Sequence, residues 1–334
     1  MVGSNGKLTS RDVARLAGVS QATVSRVLQN SPLVQPATRQ AVLDAIAQSG
    51  YAPNAAARWM RTRRTDIIAL VVANLAVNPL YPAMLQLLST ALRKRGMSAS
   101  VYEEEDFSES TLRRIVEGGV DGVITTTAME ASVPFLERIA EQVPLILLHR
   151  TVSSKAFDQF SSDNHASGAA VASFFAKHGR KKIGLISGYN LPSTLREREQ
   201  GFTAELARRG LQLKEYAIAR VPKFSYAAGA EAAREIMKVH GVNAIFGVND
   251  IVAIGALDGL RSKGLAVPDD VWVVGHDDVP MAAWDCINLT TVAQSREAMV
   301  DAAVARLCAR LDNQDLRPKR VVLPYEFIRR GTAG

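Results

Sequence analysis

Two short helical patterns that meet at a glycine constrain this chain more than any other feature. They lie within Thr9 to Leu28, which reads TSRDVARLAGVSQATVSRVL. Thr9 and Ser20 stand where the two helices begin, and their hydroxyls can accept hydrogen bonds from the first turn. Gly18 follows the first helix, where a chain leaving a helix often adopts a positive φ. This arrangement predicts a helix-turn-helix, whose second helix enters the DNA major groove.

A third helical pattern runs from Thr38 to Gln48, and a Pro-Asn break then leads to a short helix capped by Asn54 and ending at Met60. The first three patterns repeat apolar residues at helical spacing and should share one small core. We expect these side chains to face inward: Val13, Ala14, Leu16 and Ala17, then Ala22 or Thr23, Val24, Val27 and Leu28, then Val42, Leu43 and Ile46. A helical bundle unrelated to DNA would show similar spacing, so the pattern needs further support.

The distribution of charge supports a DNA-binding role for the same segment. Residues 1–65 contain nine Lys and Arg but only two Asp, a net charge of +7. The whole chain has 40 basic and 33 acidic residues, so the rest of the chain has no net charge. Basic side chains neutralise DNA phosphates. All of the excess positive charge therefore lies where the helix-turn-helix pattern lies.

From Asp66 the pattern changes to apolar strands that alternate with amphipathic helices. Strand-like runs such as IIALVVANL, PLILLHR and KKIGLISG alternate with helical patterns such as Tyr81–Lys94 and Glu197–Arg209. Near-continuous apolar strands between helices predict parallel sheets covered on both faces. The strands are too numerous for one compact sheet, so we expect a two-lobed α/β core behind the small all-α amino-terminal domain. Ligands in such folds bind beyond the carboxyl ends of the strands, here in the cleft between the lobes.

Motifs of several other classes of protein are missing from the sequence. It has no GxxxxGK[ST] loop, no HExxH, no CxxC and no strand-linked GxGxxG. Five scattered histidines and two cysteines, Cys286 and Cys308, have neither metal-ligand nor disulfide-framework spacing. The sequence has no signal peptide and no membrane-spanning run. We therefore expect a cytoplasmic protein without catalytic activity, metal, cofactor or membrane contact.

Residues 8–65 resemble the headpiece of the lactose-repressor (LacI/GalR) family of bacterial transcription regulators. The strand and helix order that follows resembles that family's periplasmic-binding-protein-like core, so the resemblance covers nearly the whole chain. It implies a DNA-binding headpiece at 1–53, a hinge helix and linker at 54–65, and an effector-binding core at 66–334. The two lobes of the core would comprise about 66–162 plus 294–322, and about 165–291 plus 323–330.

The resemblance assigns DNA contacts to the headpiece and the hinge. Gln21, Ala22 and Arg26 stand at the family's base-contacting positions, and an arginine can donate two hydrogen bonds to guanine O6 and N7. Met60 stands where the family usually has a leucine that wedges into the minor groove. The other predicted DNA contacts are Thr9, Ser20, Thr23, Ser25, Thr38, Tyr51, Asn54 and Ala57.

The resemblance also assigns an effector site in the cleft between the lobes. Arg198, in the segment STLREREQGF, matches the arginine that clamps the family's ligands, and Asn249 and Asp277 match other polar anchors. Phe224 stands where an aromatic ring stacks on the ligand, with a plain core role as the alternative. The other predicted walls of the site are Leu80, Tyr81, Thr126, His149 and Trp284. An arginine and an aspartate presented to one cleft suit a polyhydroxylated ligand such as a sugar.

His149 stands where many family members have aspartate. The change removes a negative charge, and a histidine that titrates near neutral pH could add a positive one. We therefore hypothesise that His149, together with Arg198, shifts the site toward a sugar acid or a phosphorylated sugar. The affinity for that ligand would then depend on pH.

The sequence thus predicts a repressor of a carbohydrate-metabolism operon that binds double-stranded operator DNA under the control of a small effector. No leucine heptads of the family's tetramerising tail follow FIRRG, which favours a homodimer. Two alternatives stay open. A corepressor-dependent regulator would need ligand to bind its operator. A transport-type sugar-binding protein would share the core, but would have a signal peptide and no headpiece.

Overall fold

The computed structural model describes residues 8–28, 31–51, 64–104, 108–238 and 241–334. The chain divides after Thr65 into two compact units, residues 1–65 and 66–334. The division falls where the sequence changes from purely helical patterns to alternating strands and helices. The predicted helix from Asn54 to Met60 lies outside the described residues.

Three helices make up the described part of the first unit: α1 (Ser10–Leu16), α2 (Gln21–Leu28) and α3 (Pro36–Ser49). Gly18 follows α1 with φ of +65°, as the sequence predicted. The buried core consists of Val13, Ala14, Val24, Val27, Val42 and Ala45. The expectation that Leu16, Leu28 and Leu43 face inward is wrong, because their side chains are 59%, 40% and 44% exposed. Helices this short bury only a narrow stripe, and these leucines lie beside it.

The second unit is built from alternating strands and helices. Its described strands are β1 (Ile67–Val72), β2 (Ser98–Glu103), β3 (Gly122–Thr125), β4 (Leu145–Leu148), β5 (Asp158–Ser162), β6 (Ile183–Gly188), β7 (Ile218–Val221), β8 (Ala244–Gly247), β9 (Trp272–Val274), β10 (Thr291–Gln294), β11 (Arg320–Leu323) and β12 (Tyr325–Ile328). Its described helices are α4 (Leu80–Arg93), α5 (Glu109–Glu117), α6 (Val133–Ala140), α7 (Asn164–Lys177), α8 (Ser193–Arg208), α9 (Tyr226–Ile236), α10 (Asp250–Arg261) and α11 (Arg296–Asp312).

The first sheet has the strand order β11-β5-β4-β3-β1-β2, and all its neighbouring strands are parallel. Successive side chains of a strand point to opposite faces. Ile68 and Leu70 of β1 accordingly pack with residues of α4 and α11, whereas Ala69 and Val71 pack with residues of α5 and α6. Helices therefore cover both faces of this sheet.

The second sheet has the order β7-β6-β8-β9, again parallel, and β10 pairs with β12 in a separate antiparallel ribbon. Ile186 and Ile245 pack with α9 and α10 on one face, and Leu185 and Phe246 pack with α7 and α8 on the other. Two parallel sheets, each covered by helices on both faces, confirm the predicted fold class. The lobe boundaries drawn from the sequence stay a prediction.

Helix α8 begins at Ser193, four residues before the predicted start at Glu197. The prediction placed the start too late because the polar first turn of the helix lacks apolar periodicity. It packs directly against the backbone of α7. A Cβ added at Gly201 would collide with the carbonyl oxygen of His165, and one added at Gly168 would collide with that of Arg198. The two glycines therefore let the helices approach closely, and this contact fixes the position of Arg198.

Replacing Gly201 by alanine should destabilise the protein by about 1–3 kcal/mol, because the new methyl group forces α7 and α8 apart. The sign of the change in the free energy of unfolding distinguishes the two effects, since alanine in a helix is otherwise favoured over glycine by about 1 kcal/mol. Urea unfolding followed by circular dichroism measures the effect. Thr203→Ala, an exposed change in the same helix, should leave stability nearly unchanged. A Gly201→Ala protein as stable as the parent would show that the two helices do not depend on this contact.

Candidate functional site

Side-chain caps fix the beginning of both helices of the helix-turn-helix. At α1, the backbone nitrogen and the hydroxyl of Thr9 both donate to Asp12 Oδ2, at 3.0 Å and 2.8 Å. At α2, Ser20 Oγ accepts a hydrogen bond from the Thr23 nitrogen at 3.1 Å. Thr9 and Ser20 thus act as the caps that the sequence predicted. Their hydroxyls are exposed beside the start of α2.

The three residues predicted to contact bases are all exposed on α2. Gln21 is held against α1, since its Nε2 donates to Ser10 Oγ at 2.9 Å and its Oε1 accepts from Arg11 Nε at 3.4 Å. Ala22 presents only a methyl group. Within the described ranges, no carboxylate lies within 4 Å of the Arg26 guanidinium group. That cation is therefore available for a base edge or a phosphate.

The other predicted DNA contacts have mixed exposure. Thr23, Ser25, Thr38 and Tyr51 are partly buried. Asn54, Ala57 and Met60 lie outside the described residues. The structure thus bears on the first part of the predicted DNA-binding surface, and the contacts from the hinge stay a prediction.

The predicted effector residues lie mostly in the interior of the second unit. Seven of the nine are at most 6% exposed: Leu80, Tyr81, Thr126, His149, Arg198, Asn249 and Asp277. They follow the carboxyl ends of strands in both sheets, which is where ligands bind in folds of this kind. These residues therefore lie at the carboxyl edges that the sequence predicted, and several of their side chains already bind other groups of the protein. Their contact with an effector stays a prediction.

Arg198 ties together three segments at the carboxyl edge of the second sheet. Its Nε donates to Asn164 Oδ1 at 3.0 Å, and its Nη1 donates to the Val248 carbonyl at 2.8 Å. Its Nη2 lies 2.9 Å from Asp277 Oδ1, an ion pair between two almost fully buried side chains. Nη2 makes no hydrogen bond of good geometry, so this nitrogen keeps donor capacity for another group. The assignment of Arg198 to the effector stays a prediction.

A chain of side chains connects Asp277 to the first lobe. Gln294, at the end of β10, donates from Nε2 to Asp277 Oδ1 at 2.7 Å. The Oε1 atom of the same amide lies 3.1 Å from His149 Nδ1, which follows β4. His149 and Asp277 are non-glycine residues with φ of +75° and +122°. Such strained backbone is held only where the surroundings enforce it, and it concentrates at functional sites.

The hypothesis that His149 titrates near neutral pH is wrong. Burial and, after it, the nearby positive charge of Arg198 lower the pKa of His149 to about 3. The imidazole is therefore neutral at physiological pH and acts as a hydrogen-bonding partner of Gln294. The positive charge expected from this residue is absent.

The structure places four other predicted effector residues in different surroundings. Asn249 caps α10, since its Oδ1 accepts from the Val252 nitrogen at 3.1 Å. Phe224 is partly buried and packs so closely on Gly188 that a Cβ there would lie 2.6 Å from its ring. The Thr126 hydroxyl is turned toward the Val71 carbonyl. The structure does not bring Trp284 into the group, because its side chain is 56% exposed and follows the turn Pro280–Ala283.

A cleft of about 550 Å³, within the size range of small-molecule sites, is lined by Thr151, two residues after His149, but by none of the predicted effector residues. One wall comes from the loops after β3 and β4, including Glu130 and Thr151, and the other from the segment that leads into α8. That segment contributes Tyr189, Asn190, Leu191, Pro192, Ser193 and Arg196. The sequence analysis did not assign these residues to the site, because neither the loop 189–192 nor the polar first turn of α8 has a periodicity that marks it.

Comparison with known proteins gives the family of the chain. Residues 9–54 match the family described as bacterial regulatory proteins, lacI family, and residues 172–333 match a periplasmic binding protein-like domain. The chain is 33% identical to the HTH-type transcriptional regulator CelR of Thermobifida fusca over 326 residues, which cover 95% of each protein. The chain belongs to the lacI family of bacterial regulatory proteins.

Solved structures of lacI-family proteins share the fold. A CelR–cellobiose complex matches with a TM-score of 0.73 and 31% identity, over 98% of this chain and 100% of that one. The Lac repressor bound to ONPG in the repressed state matches with a TM-score of 0.85 over 98% and 100% of the two chains. At 24% identity, the second match shows the fold alone. Members of this family are DNA-binding regulators rather than enzymes.

Features of other protein classes are missing from the residues that the structure describes. None of the helices in these ranges is both long and apolar enough to cross a membrane. The same ranges contain no group of three or more His, Cys, Asp or Glu side chains placed to hold a metal ion.

Two further buried groups adjoin the lacI-family site. His276 Nε2 lies 2.9 Å from Ser167 Oγ, and burial lowers the pKa of this histidine to about 4. Asp250 accepts hydrogen bonds from the Thr291 hydroxyl at 2.5 Å and the Val279 nitrogen at 2.9 Å. Burial and, after it, the nearby charge of Asp277 raise the pKa of Asp250 to about 7.

The raised pKa of Asp250 gives a testable dependence of stability on pH. Between pH 4 and 7 the folded state keeps a proton on Asp250 that the unfolded state releases, so the stability contributed by this group falls as pH rises. Asp250→Asn resembles the protonated acid and removes this loss. The variant should therefore gain stability relative to the parent from pH 4 to 7, by a few kcal/mol in total, and then level off.

Urea unfolding at a series of pH values measures this difference. His149 and His276, with lowered pKa values, make both proteins less stable below about pH 6.5, and this contribution cancels in the comparison. Asp269→Asn, at an exposed position, should show no trend with pH. An equal difference between Asp250→Asn and parent at pH 5 and pH 8 would contradict the assignment.

Proposed function

We propose that the chain is a homodimeric transcriptional repressor that binds operator DNA and responds to a small polyhydroxylated effector. The observation that carries the proposal is the exposed, polar start of α2. There Arg26 and Gln21 stand on a capped helix, in the segment that holds the whole excess positive charge of the chain.

Both parts of DNA recognition have candidate residues in this segment. Exposed cations such as Arg11 attract phosphates and give sequence-independent affinity. Arg26 and Gln21 supply the bidentate donors and acceptors that discriminate guanine and adenine in the major groove. Thr9, Ser20 and Thr23 fix the register through phosphate contacts. Asn54, Ala57 and Met60 would extend the contact into the minor groove.

The second unit supports control by a ligand. The chain His149–Gln294–Asp277–Arg198 joins the loops of both lobes through side chains that a polyhydroxylated molecule can replace hydrogen bond for hydrogen bond. A ligand that binds here replaces contacts between the two lobes and so changes their relative position. It shifts the population of two lobe arrangements only if it binds one of them more tightly than the other. The structure of the relative CelR with cellobiose supports a carbohydrate as the effector class.

A homodimer follows from the requirements of operator recognition. A two-fold dimer presents two recognition helices about one turn of DNA apart, and so reads a roughly palindromic site. An exposed surface of the second unit offers a place for self-association. Tyr226 and Arg261 both contact Asp258, and Arg261 also donates to the Cys286 carbonyl, two residues from the exposed Trp284.

We place the protein in the cytoplasm, on the operator of a carbohydrate-metabolism operon.

Selection of operators from a random duplex pool, followed by measured affinities, tests the proposal. Arg26→Ala should lower affinity for the selected operator about 10- to 100-fold, because a bidentate base contact is lost. Its affinity for random DNA should fall no more than that of Arg15→Ala, a charge-matched change at an exposed position on α1. Sedimentation of the complex should give two chains per operator.

Two results would refute these assignments. Equal losses of Arg26→Ala on operator and random DNA would make Arg26 a phosphate contact. Failure of the parent chain to enrich any sequence would refute operator recognition altogether.

A further inference from the structure

Arg150, two residues beyond β4, is a buried cation that the predicted site did not include. Its side chain is held at the carboxyl edge of the first sheet. Nη1 donates to the Thr127 carbonyl at 3.1 Å, and Nη2 donates to the Tyr81 hydroxyl at 2.9 Å. Arg150 is 9% exposed, and its Nε is buried without a hydrogen-bond partner. The guanidinium group is thus fixed in place and keeps an unused donor.

The charge of Arg150 has no opposite charge beside it. Within the described part of the chain, no carboxylate lies within 4 Å of its guanidinium group, and both of its hydrogen-bond partners are neutral. The buried carboxylate of Asp277 already pairs with Arg198 and accepts a hydrogen bond from Gln294. Burial of a cation without a counter-ion is strongly unfavourable, so such a cation calls for an anion.

Arg150 and Arg198 both face the region around His149. Each lies close enough to depress the pKa of that histidine, and the Tyr81 ring meets the His149 ring edge-on at 6.1 Å. Arg198 also has a buried nitrogen, Nη2, with unused donor capacity. The two lobes therefore each contribute one fixed arginine to this region, and the Asp277 carboxylate pairs with only one of them, Arg198. The 550 Å³ cleft is lined by Thr151, the residue after Arg150, and by Ser193 and Arg196 of the helix that carries Arg198.

We propose that Arg150 is the anion receptor of the effector site, and that the effector is a polyhydroxylated molecule with a carboxylate or phosphate group. The anionic group accepts hydrogen bonds from Arg150 and Arg198, while neutral His149 and Gln294 bind hydroxyls. Charged hydrogen bonds of this kind are shorter and stronger than neutral ones. This inference rests on the proposed function only in identifying the cleft as the effector site.

Calorimetry on the full chain with matched neutral and acidic sugars tests the proposal. The pairs are glucose with glucuronate and with glucose 6-phosphate, and galactose with galacturonate, with cellobiose as a further neutral ligand. We expect an acidic member to bind at least about ten-fold more tightly than its neutral partner, since a charged hydrogen bond contributes about that much. The uronates and the sugar phosphate distinguish the two sources of negative charge. A neutral sugar as the tightest ligand would overturn the proposal.

Variants connect the preference to Arg150. Arg150→Gln should weaken binding of the acid about 10- to 100-fold and leave binding of the neutral partner nearly unchanged, and Arg150→Lys should restore part of the loss. Arg320→Gln is the charge-matched control, because Arg320 donates to Thr151 at the same cleft but its side chain is half exposed. Equal loss for acid and neutral sugar in Arg150→Gln would show a structural role only.

A second measurement covers the case in which none of these sugars binds. Inorganic phosphate or acetate, at fixed ionic strength, should raise the Tm of the parent more than that of Arg150→Gln. Equal shifts would overturn the proposal. Operator selection is carried out separately with the parent chain, so a failure of DNA recognition there counts against the proposed function and not against anion binding.

Discussion

The buried ion pair between Arg198 and Asp277 is the interaction on which the effector-site region depends. Both side chains are removed from water, so each charge would be strongly unfavourable without the other. Arg198 also holds the start of α7 and the end of β8 through Asn164 and Val248. One guanidinium group thus fixes three segments at the carboxyl edge of the second sheet, and the close packing of α7 on α8 fixes the guanidinium group.

The same pair connects the two lobes. Asp277 accepts a hydrogen bond from Gln294, and the other end of the same amide contacts His149 beside the first sheet. The strained backbone at Asp277 and His149 shows that the surrounding contacts hold these residues against their intrinsic preference. A ligand that competes for these hydrogen bonds therefore acts on both lobes at once. Such a two-sided contact is what an allosteric effector requires.

Much of the fold could be predicted from the sequence, because it depends on local patterns. The caps at Thr9 and Ser20 and the turn at Gly18 follow from residue type alone. The alternation of apolar strands with helices predicts parallel sheets, and parallel sheets predict which edge binds ligand. Leu16, Leu28 and Leu43 were misassigned because spacing does not state how wide a stripe a small core can bury.

The partners of the site residues could not be predicted in the same way. The ionisation of His149 depends on its burial and on Arg198, which lies far away in the sequence. Arg150 stands next to a predicted residue, but only the structure shows that its guanidinium group is buried without a counter-ion. Trp284 matched a family position, yet its ring is exposed on the surface of the second unit. Contacts between residues far apart in the sequence determine the ionisation of His149, the burial of Arg150 and the exposure of Trp284, and residue spacing carries no information about such contacts.

A double-mutant cycle on Arg198 and Asp277, followed by urea unfolding, tests the central claim most directly. Arg198→Met and Asp277→Asn should each destabilise the protein by about 3–5 kcal/mol, because each leaves one buried charge without its partner. The double variant leaves neither charge, so its loss should fall below the sum by several kcal/mol. Losses that add within about 0.5 kcal/mol would contradict the claim that this pair holds the site together.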